Sequence, residues 1–439
     1  MLTMTLNTQG ASLFHKILAM LVFVAYAAWN LTAWYITEPQ DSYDTYRYFQ
    51  PLSEPLNPGI IVNSIYLTLE SNTLITLAQV LLATAAWVFF TVAVLIRLNW
   101  RTAGWVMATV MLLFSLTQPI WSWHMLTYSE SLTNTALVFW LGSIAWLTAR
   151  SQSALKSLIP FSVAASLIAL TRPQLLIFVL PTQLVILTWW WRSNRRLIPA
   201  IGAVISILPF MAFAVYRVQL VTEISLFKMR YALNNLVGKN DSFREYALAE
   251  MPPCDLVPQA LNGPAPWNDT QALGDPMINA CPETWVWFRS DAVNIQTWML
   301  ARPSATLAEF ATQVNNVVLS LAPQAMAMPT FLSQLLLNTN APLIWAVGYL
   351  IAGILFATLV GARPKVTPLS VIGLAVIALS VFTHLLFVWG ADGDSVERHL
   401  FPVIPMIAIA LLVFPGVWPN VKLKSQQVKG KHENLLKPN

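Results

Sequence analysis

Residues 73–96 read TLITLAQVLLATAAWVFFTVAVLI, an unbroken run without a charged side chain. A helix of this length rises about 36 Å, enough to cross the roughly 30 Å hydrocarbon core of a bilayer. The whole chain has the same character, since 56% of its 439 residues are hydrophobic and only 10% are charged, against roughly 25% charged in soluble domains. This composition excludes an ordinary soluble enzyme and predicts an integral membrane protein.

Similar apolar runs recur along the chain and predict an all-α polytopic membrane protein with about ten transmembrane helices. Between the fifth and sixth runs, Arg172 and Pro173 suit a hairpin better than a helix interior. We therefore expect two spans there, and the alternative is one kinked or re-entrant segment. The runs lie near 17–36, 73–96, 104–121, 129–149, 157–171, 175–191, 197–220, 342–361, 369–389 and 400–418.

The distribution of charge orients these spans. If the N-terminus is cytoplasmic, fifteen of the 25 basic residues and one of the 20 acids fall on the cytoplasmic side. The net charge of +5 then divides into +14 inside and −9 outside, as the positive-inside rule requires. We expect both termini in the cytoplasm. We also expect residues 419–439 to form a basic tail that lies against the anionic inner leaflet. The lysines of this tail then bind lipid headgroups, and we expect no nucleic acid partner.

This topology divides the chain into four parts, the last of which is the basic tail at 419–439. Residues 1–220 form a transmembrane module of about seven spans with a first outer loop at 37–72, and residues 342–418 add about three spans. Residues 221–341 form a mostly helical extracytoplasmic cap between the seventh and eighth helices. The only two cysteines, Cys254 and Cys281, lie in this cap. We predict that they form a disulfide, which places the cap in an oxidising compartment such as a bacterial periplasm and the chain in a bacterial inner or plasma membrane.

Two outer loops carry groups that could perform chemistry. The first outer loop contains Asp41 and Asp44, followed by Tyr46, and carboxylates beside apolar walls can serve as general bases. The alternative is a solvated acidic loop without catalytic function, whose charge simply follows the positive-inside rule. The last outer loop places Glu397 directly before Arg398 and His399 at the start of the tenth span.

Arginine offers a forked set of donors for phosphate. Arg398 and His399 therefore suit an anionic lipid headgroup, and Arg172 and Arg217 add positive charge to the same outer rim. Interfacial anchors that snorkel are the alternative interpretation of these residues. A rim of this kind fits a polyprenyl-phosphate sugar, whose anionic head lies at the membrane surface.

With these motifs the chain resembles the GT-C superfamily of polytopic glycosyltransferases, which use lipid-phosphate sugar donors on the outer side of the membrane. The resemblance rests on Asp41-Ser42 with Tyr46 after the first span, Ser129-Glu130 opening a span, the TRPQ turn with Arg172, and ERHLFPVIP before the last span. It implies a membrane glycosyltransferase that transfers a hexosyl or pentosyl group with inversion. The donor is a polyprenyl-phosphate-linked sugar, and the acceptor is a cell-envelope glycan or lipid.

The resemblance also implies roles for residues. Asp41, or Asp44 as the second choice, would deprotonate the acceptor hydroxyl. The substrate and phosphate site would comprise Arg172, Arg398, His399, Arg217, Tyr46 and Glu397. The first loop lacks an Asp-Glu pair and no peptide-acceptor motif is recognisable, which disfavours oligosaccharyl transfer and protein mannosylation.

The histidines do not have metal-ligand spacing, so we expect no dedicated metal site and no certain cofactor, although carboxylates beside a phosphate could hold a divalent ion. We expect His124, between two tryptophans, to belong to an interfacial belt. Three other functions remain open: a Wzy-like polymerase or ligase of surface glycans, a lipid or small-molecule transporter, and a non-catalytic scaffold. The nearly charge-free spans and the absence of a clean repeat weigh against a transporter.

Overall fold

The computed structural model describes residues 12–39, 60–127, 129–148, 154–172, 175–194, 241–257, 279–290, 295–313, 342–359 and 368–391, with single residues near 201–216, at 277 and near 407–411. In these ranges every element longer than one residue is a helix, which confirms the all-α prediction. The predicted seventh and tenth spans lie mostly outside the described residues, as does the basic tail.

The N-terminal module begins with a long helix, and a short helix follows within the first outer segment, where we predicted only a loop. Its helices are α1 (Leu13–Ile36), α2 (Ile60–Leu69), α3 (Asn72–Arg97), α4 (Thr102–Ser115), α5 (Gln118–Trp121), the 3-10 turn Ser122–Met125, α6 (Ser129–Thr148), α7 (Ala154–Thr171) and α8 (Leu176–Asn194). α7 and α8 are separate helices, as the TRPQ turn predicts. The predicted third span is interrupted after Ser115.

The remaining described helices belong to the predicted cap and the C-terminal spans. The cap contains α9 (Asp241–Glu250), α10 (Pro282–Arg289), α11 (Ile295–Ala301) and α12 (Pro303–Gln313), and two long apolar helices follow as α13 (Pro342–Leu359) and α14 (Pro368–Ala391). α10, α12, α13 and α14 each begin at a proline, which is tolerated in the first turn because its missing N–H would have no helical partner there.

Two of the described helices, α1 and α3, are long and apolar enough to cross a membrane. They differ in their surroundings. α3 lies at the centre of the bundle and packs against α1, α4 and α6, whereas α1 exposes large apolar side chains along its length, including Met20, Val24 and Trp29. Large apolar side chains on a helix surface need an apolar environment or a partner.

The core of the bundle is aromatic at its centre. Trp87 of α3 lies close to Phe90 of the same helix and to Phe114 of α4. These three rings are almost completely buried, as is Phe161 of α7. Polar bonds fasten α1 to this core, because the Trp121 indole N–H donates to Asn30 Oδ1 at 3.0 Å. The Trp34 indole N–H donates to Thr76 Oγ1 at 3.1 Å. The C-terminal end of α1 is thus held beside the N-terminal end of α3.

Gly142 of α6 allows a close approach between α6 and α3. A Cβ atom at this position would lie 2.8 Å from Phe89 Cδ1 and 2.9 Å from Phe90 Cα. We expect Gly142→Ala to push the helices apart and to lower the free energy of unfolding by about 1–3 kcal/mol, measured as a lower thermal midpoint in detergent. Gly348→Ala is the matched control, because a Cβ there meets nothing within 4 Å. Equal midpoints for the two variants would contradict the prediction.

The described cap residues have a small core of their own. Phe243, Val257, Met277 and Phe288 are fully buried there, and Trp298 packs edge-on against Phe243 at 5.5 Å between ring centroids. The predicted disulfide between Cys254 and Cys281 is confirmed, with the two Cα atoms 5.6 Å apart. It ties the segment after α9 to the start of α10.

Candidate functional site at one end of the bundle

Several helix termini meet at one end of the N-terminal bundle. α3 and α6 begin there and α7 ends there, and the 3-10 turn at Ser122–Met125 contacts both α3 and α6. The opposite end carries Arg97 and Arg101 in the connection from α3 to α4, and Arg192 near the end of α8. The positive-inside rule predicts that the end without these arginines faces the outer side of the membrane.

A buried ion pair joins two of the motifs at this end. Arg172 Nη1 lies 3.1 Å from Glu130 Oε1, and the two side chains are 7% and 1% exposed. The Ser129 hydroxyl donates to the other carboxylate oxygen, Oε2, at 3.2 Å. The pair is neutral as a whole, and this offsets part of the cost of taking each charge out of water.

The local sequence explains why these charges occupy these positions. Glu130 lies in the first turn of α6, where the positive end of the helix dipole favours an acid. Arg172 directly follows the last residue of α7, where the negative end favours a cation, and its backbone N–H still donates to Ile168 O at 2.8 Å. Because α6 and α7 pack together in opposite directions, the start of one meets the end of the other.

His124 precedes Glu130 in the chain, in the 3-10 turn before α6, and is buried, with 4% of its surface exposed. Its Nδ1 is 2.8 Å from Ser131 Oγ, one residue after Glu130. Burial lowers the pKa of His124, which lies between the predicted spans, to about 4, so the ring is neutral at pH 7. The ring of His124 is therefore covered and hydrogen-bonded inside the bundle, and its position in an interfacial belt stays a prediction.

A second set of polar bonds holds the 3-10 turn in place. In the orientation that satisfies all its partners, the Gln79 amide donates to the carbonyl oxygens of His124 and Leu126 and accepts from the Tyr66 hydroxyl, each at 3.0 Å. These bonds connect α2, α3 and the 3-10 turn. The same turn carries His124, whose ring bonds to Ser131 of α6, so side chains of both α3 and α6 hold the turn.

Of the predicted site residues, Arg172 is described, and the structure brings it to Glu130 of a second motif. The others lie outside the described residues: Asp41, Asp44, Tyr46, Arg217, Glu397, Arg398 and His399. The first outer loop leaves from the C-terminal end of α1, which the Trp34 bond to Thr76 holds at the start of α3. The base and phosphate-binding assignments stay predictions.

Sequence reasoning missed two features of this end of the bundle. We cited Glu130 only as part of a motif and did not predict its ion pair. An acid at the start of one predicted span and an arginine at the end of the next are a signal for such a pair. The helix α2 was missed because its polar and acidic flanks suggested a loop, yet Val62 and Tyr66 are fully buried against the bundle.

Two further observations concern ligand binding. Among the described residues, no group of three or more His, Cys, Asp or Glu side chains is placed to hold a metal ion. In the cap, Trp298 is buried in the core while Trp285 and Trp287 pack against it, so these tryptophans serve packing. A fourth tryptophan in the sequence of the cap, Trp267, lies outside the described residues.

The chain was also compared with known proteins. No protein-family model, no curated protein and no solved structure matches it.

Proposed function

We propose that this protein is a polytopic membrane glycosyltransferase of the GT-C type, with about ten spans and its active site on the outer side. It moves a sugar from a polyprenyl-phosphate donor to a cell-envelope glycan or lipid. The observation that carries the proposal is the Arg172–Glu130 pair, buried at the end of the bundle where the first outer loop leaves α1. An ionisable pair there is costly and marks a candidate functional site.

The proposed reaction uses one base and several cations. The Asp41 carboxylate takes the proton of the acceptor hydroxyl, whose oxygen attacks the anomeric carbon. The bond from that carbon to the phosphate oxygen breaks, and the lipid phosphate leaves with the electron pair, so the configuration inverts. Arg172 has five N–H donors in a fork, so it can contact Glu130 and a phosphate oxygen together, with Arg398 and His399 as further ligands.

The test is transfer by the purified full-length protein in nanodiscs. Radiolabelled polyprenyl-phosphate mannose, glucose and arabinose serve as donors, with an extract of membrane lipids and glycans as acceptor. We expect transfer with at least one donor, and a loss of roughly 10²–10⁴-fold in Asp41→Asn, the usual range for a general base. Asp255→Asn, an exposed cap acid, is the matched control and keeps full activity.

Three results would contradict the proposal in different ways. Full activity of Asp41→Asn would remove Asp41 as the base, and Asp44→Asn would then be examined. Transfer of whole oligosaccharides from lipid diphosphates alone would favour a Wzy-like polymerase or ligase. Movement of the labelled lipid between leaflets without any transfer would favour a transporter.

A further inference from the structure

The helices α11 and α12 of the cap lie against the side of α14 and not above its end. Phe310 of α12 contacts Phe382 of α14, edge to face, with 5.6 Å between ring centroids, and α11 also contacts α14. At 1.5 Å per residue, Phe382 lies about 13 Å along the axis before the last residue of α14, Ala391. If α14 spans the membrane as proposed, Ala391 is its outer end, and Phe310 then lies well below the surface of the bilayer.

The two charged residues of this segment both engage the neighbouring helix α9. The Arg302 guanidinium lies over the Tyr246 ring, 4.8 Å from its centroid, and 5.6 Å from that of Trp298. At the other end, the Glu309 carboxylate accepts from the Asp241 backbone N–H and the Ser242 hydroxyl, each at 3.3 Å. The charged side chains of α11 and α12 are therefore directed toward α9.

Two large apolar side chains of the same segment are exposed. Leu300 of α11 is 82% exposed, and Leu307 of α12, one turn before Phe310, is 44% exposed. α14 also exposes apolar side chains here, since Leu379 is 65% exposed and Phe382, which contacts Phe310, is 39% exposed. A helical segment with charges on one side and large apolar residues on the other, at this depth, has the character of an interfacial membrane element.

From these contacts we infer that α11 and α12 form a membrane-inserted hairpin whose apolar side contacts acyl chains of the outer leaflet. Arg302, Tyr246 and Trp298 lie at the level of the headgroups, where aromatic and basic side chains are enriched. The inference rests on the proposed crossing of the membrane by α14, and it is independent of any transfer activity. It places part of the cap inside the bilayer, at the depth where the lipid part of a donor would lie.

The test uses single thiols for fluorescent labels. Cys254 and Cys281 are both in the disulfide, and the chain contains no other cysteine, so an added cysteine is the only free thiol. Leu300→Cys and Leu307→Cys are labelled with NBD under non-reducing conditions in the full-length protein. Nanodiscs with lipids brominated or spin-labelled at known depths then quench labels that contact acyl chains. Leu379→Cys on α14 is the control for a span, and Glu250→Cys, an exposed acid at the end of α9, is the control for an aqueous site.

The expected result is quenching at Leu300 and Leu307 similar to that at Leu379 and at least about threefold stronger than at Glu250. Strong quenching at Leu379 with weak quenching at Leu300 and Leu307 would overturn the inference and leave the span intact, and would favour a protein partner on this surface. Weak quenching at Leu379 would show that α14 does not cross the bilayer, and the inference would then be wrong. Neither failure depends on the sugar or on Asp41, so the glycosyltransferase proposal is tested separately.

Discussion

Glu130→Ala is expected to destabilise the bundle more than any other single substitution considered for this protein. It leaves the Arg172 guanidinium buried without its carboxylate partner, which lies 3.1 Å away in the intact pair. Breaking a buried pair by removing one partner costs about 3–5 kcal/mol, because a guanidinium cannot lose its charge in a protein. The measurement is the thermal midpoint of the detergent-solubilised protein, followed by tryptophan fluorescence.

The two halves of the pair should not be equivalent. In Arg172→Met the remaining Glu130 carboxyl can take a proton and become neutral, so we expect a smaller loss than in Glu130→Ala and a difference that grows as the pH falls. Glu250→Ala removes an exposed acid and should stay within about 0.5 kcal/mol. If Glu130→Ala were as stable as Glu250→Ala, the pair would contribute nothing to the fold.

A charge swap separates the structural role of the pair from its proposed function. Glu130→Arg with Arg172→Glu restores opposite charges and should regain part of the stability that either single substitution loses. Sugar transfer should stay low, because the proposed contact of Arg172 with phosphate is not restored. Recovery of transfer together with stability would show that Arg172 acts only through the ion pair.

The second large effect is expected in the cap. The disulfide joins Cys254 to Cys281 across a separation of 27 residues, and in the chain-entropy estimate such a loop contributes about 3 kcal/mol. Cys254→Ala with Cys281→Ala should therefore increase hydrogen exchange in α9 and α10. Alanine is preferable to serine, because both positions are buried beside apolar side chains and a hydroxyl there would add its own desolvation cost.

The bundle provides an internal control for this experiment. α3 and α6 share no core residues with the cap cluster, so their exchange should not change when the bridge is removed. Unchanged exchange in α9 and α10 would contradict the prediction and would mean that Phe243, Phe288 and Trp298 hold the cap without the bridge. Increased exchange in α3 and α6 as well would show that the cap stabilises the whole chain.

Local signals in the sequence were sufficient for much of the helical structure. Apolar runs between charged or proline-containing segments predicted α1, α3, α6, α7 and α8 to within a few residues, because a span must satisfy its backbone hydrogen bonds internally. The turn around Arg172 was predicted as a break for the same reason. The predicted third span was less accurate, since the chain leaves the α-helix after Ser115 and continues into a 3-10 turn that tertiary hydrogen bonds from Gln79 hold.

By itself, the sequence determined the helical class, the separation of α7 from α8, and the pairing of the only two cysteines, because hydrophobic length, proline and cysteine count act locally or allow one solution. The tertiary structure alone decided that Arg172 pairs with Glu130 across two helices and that His124 is buried. It also decided that α12 contacts the side of α14 and not its end. These contacts depend on which helix faces pack together. That packing depends on how well side chains from distant segments fit together, so the sequence of one segment alone does not predict these contacts.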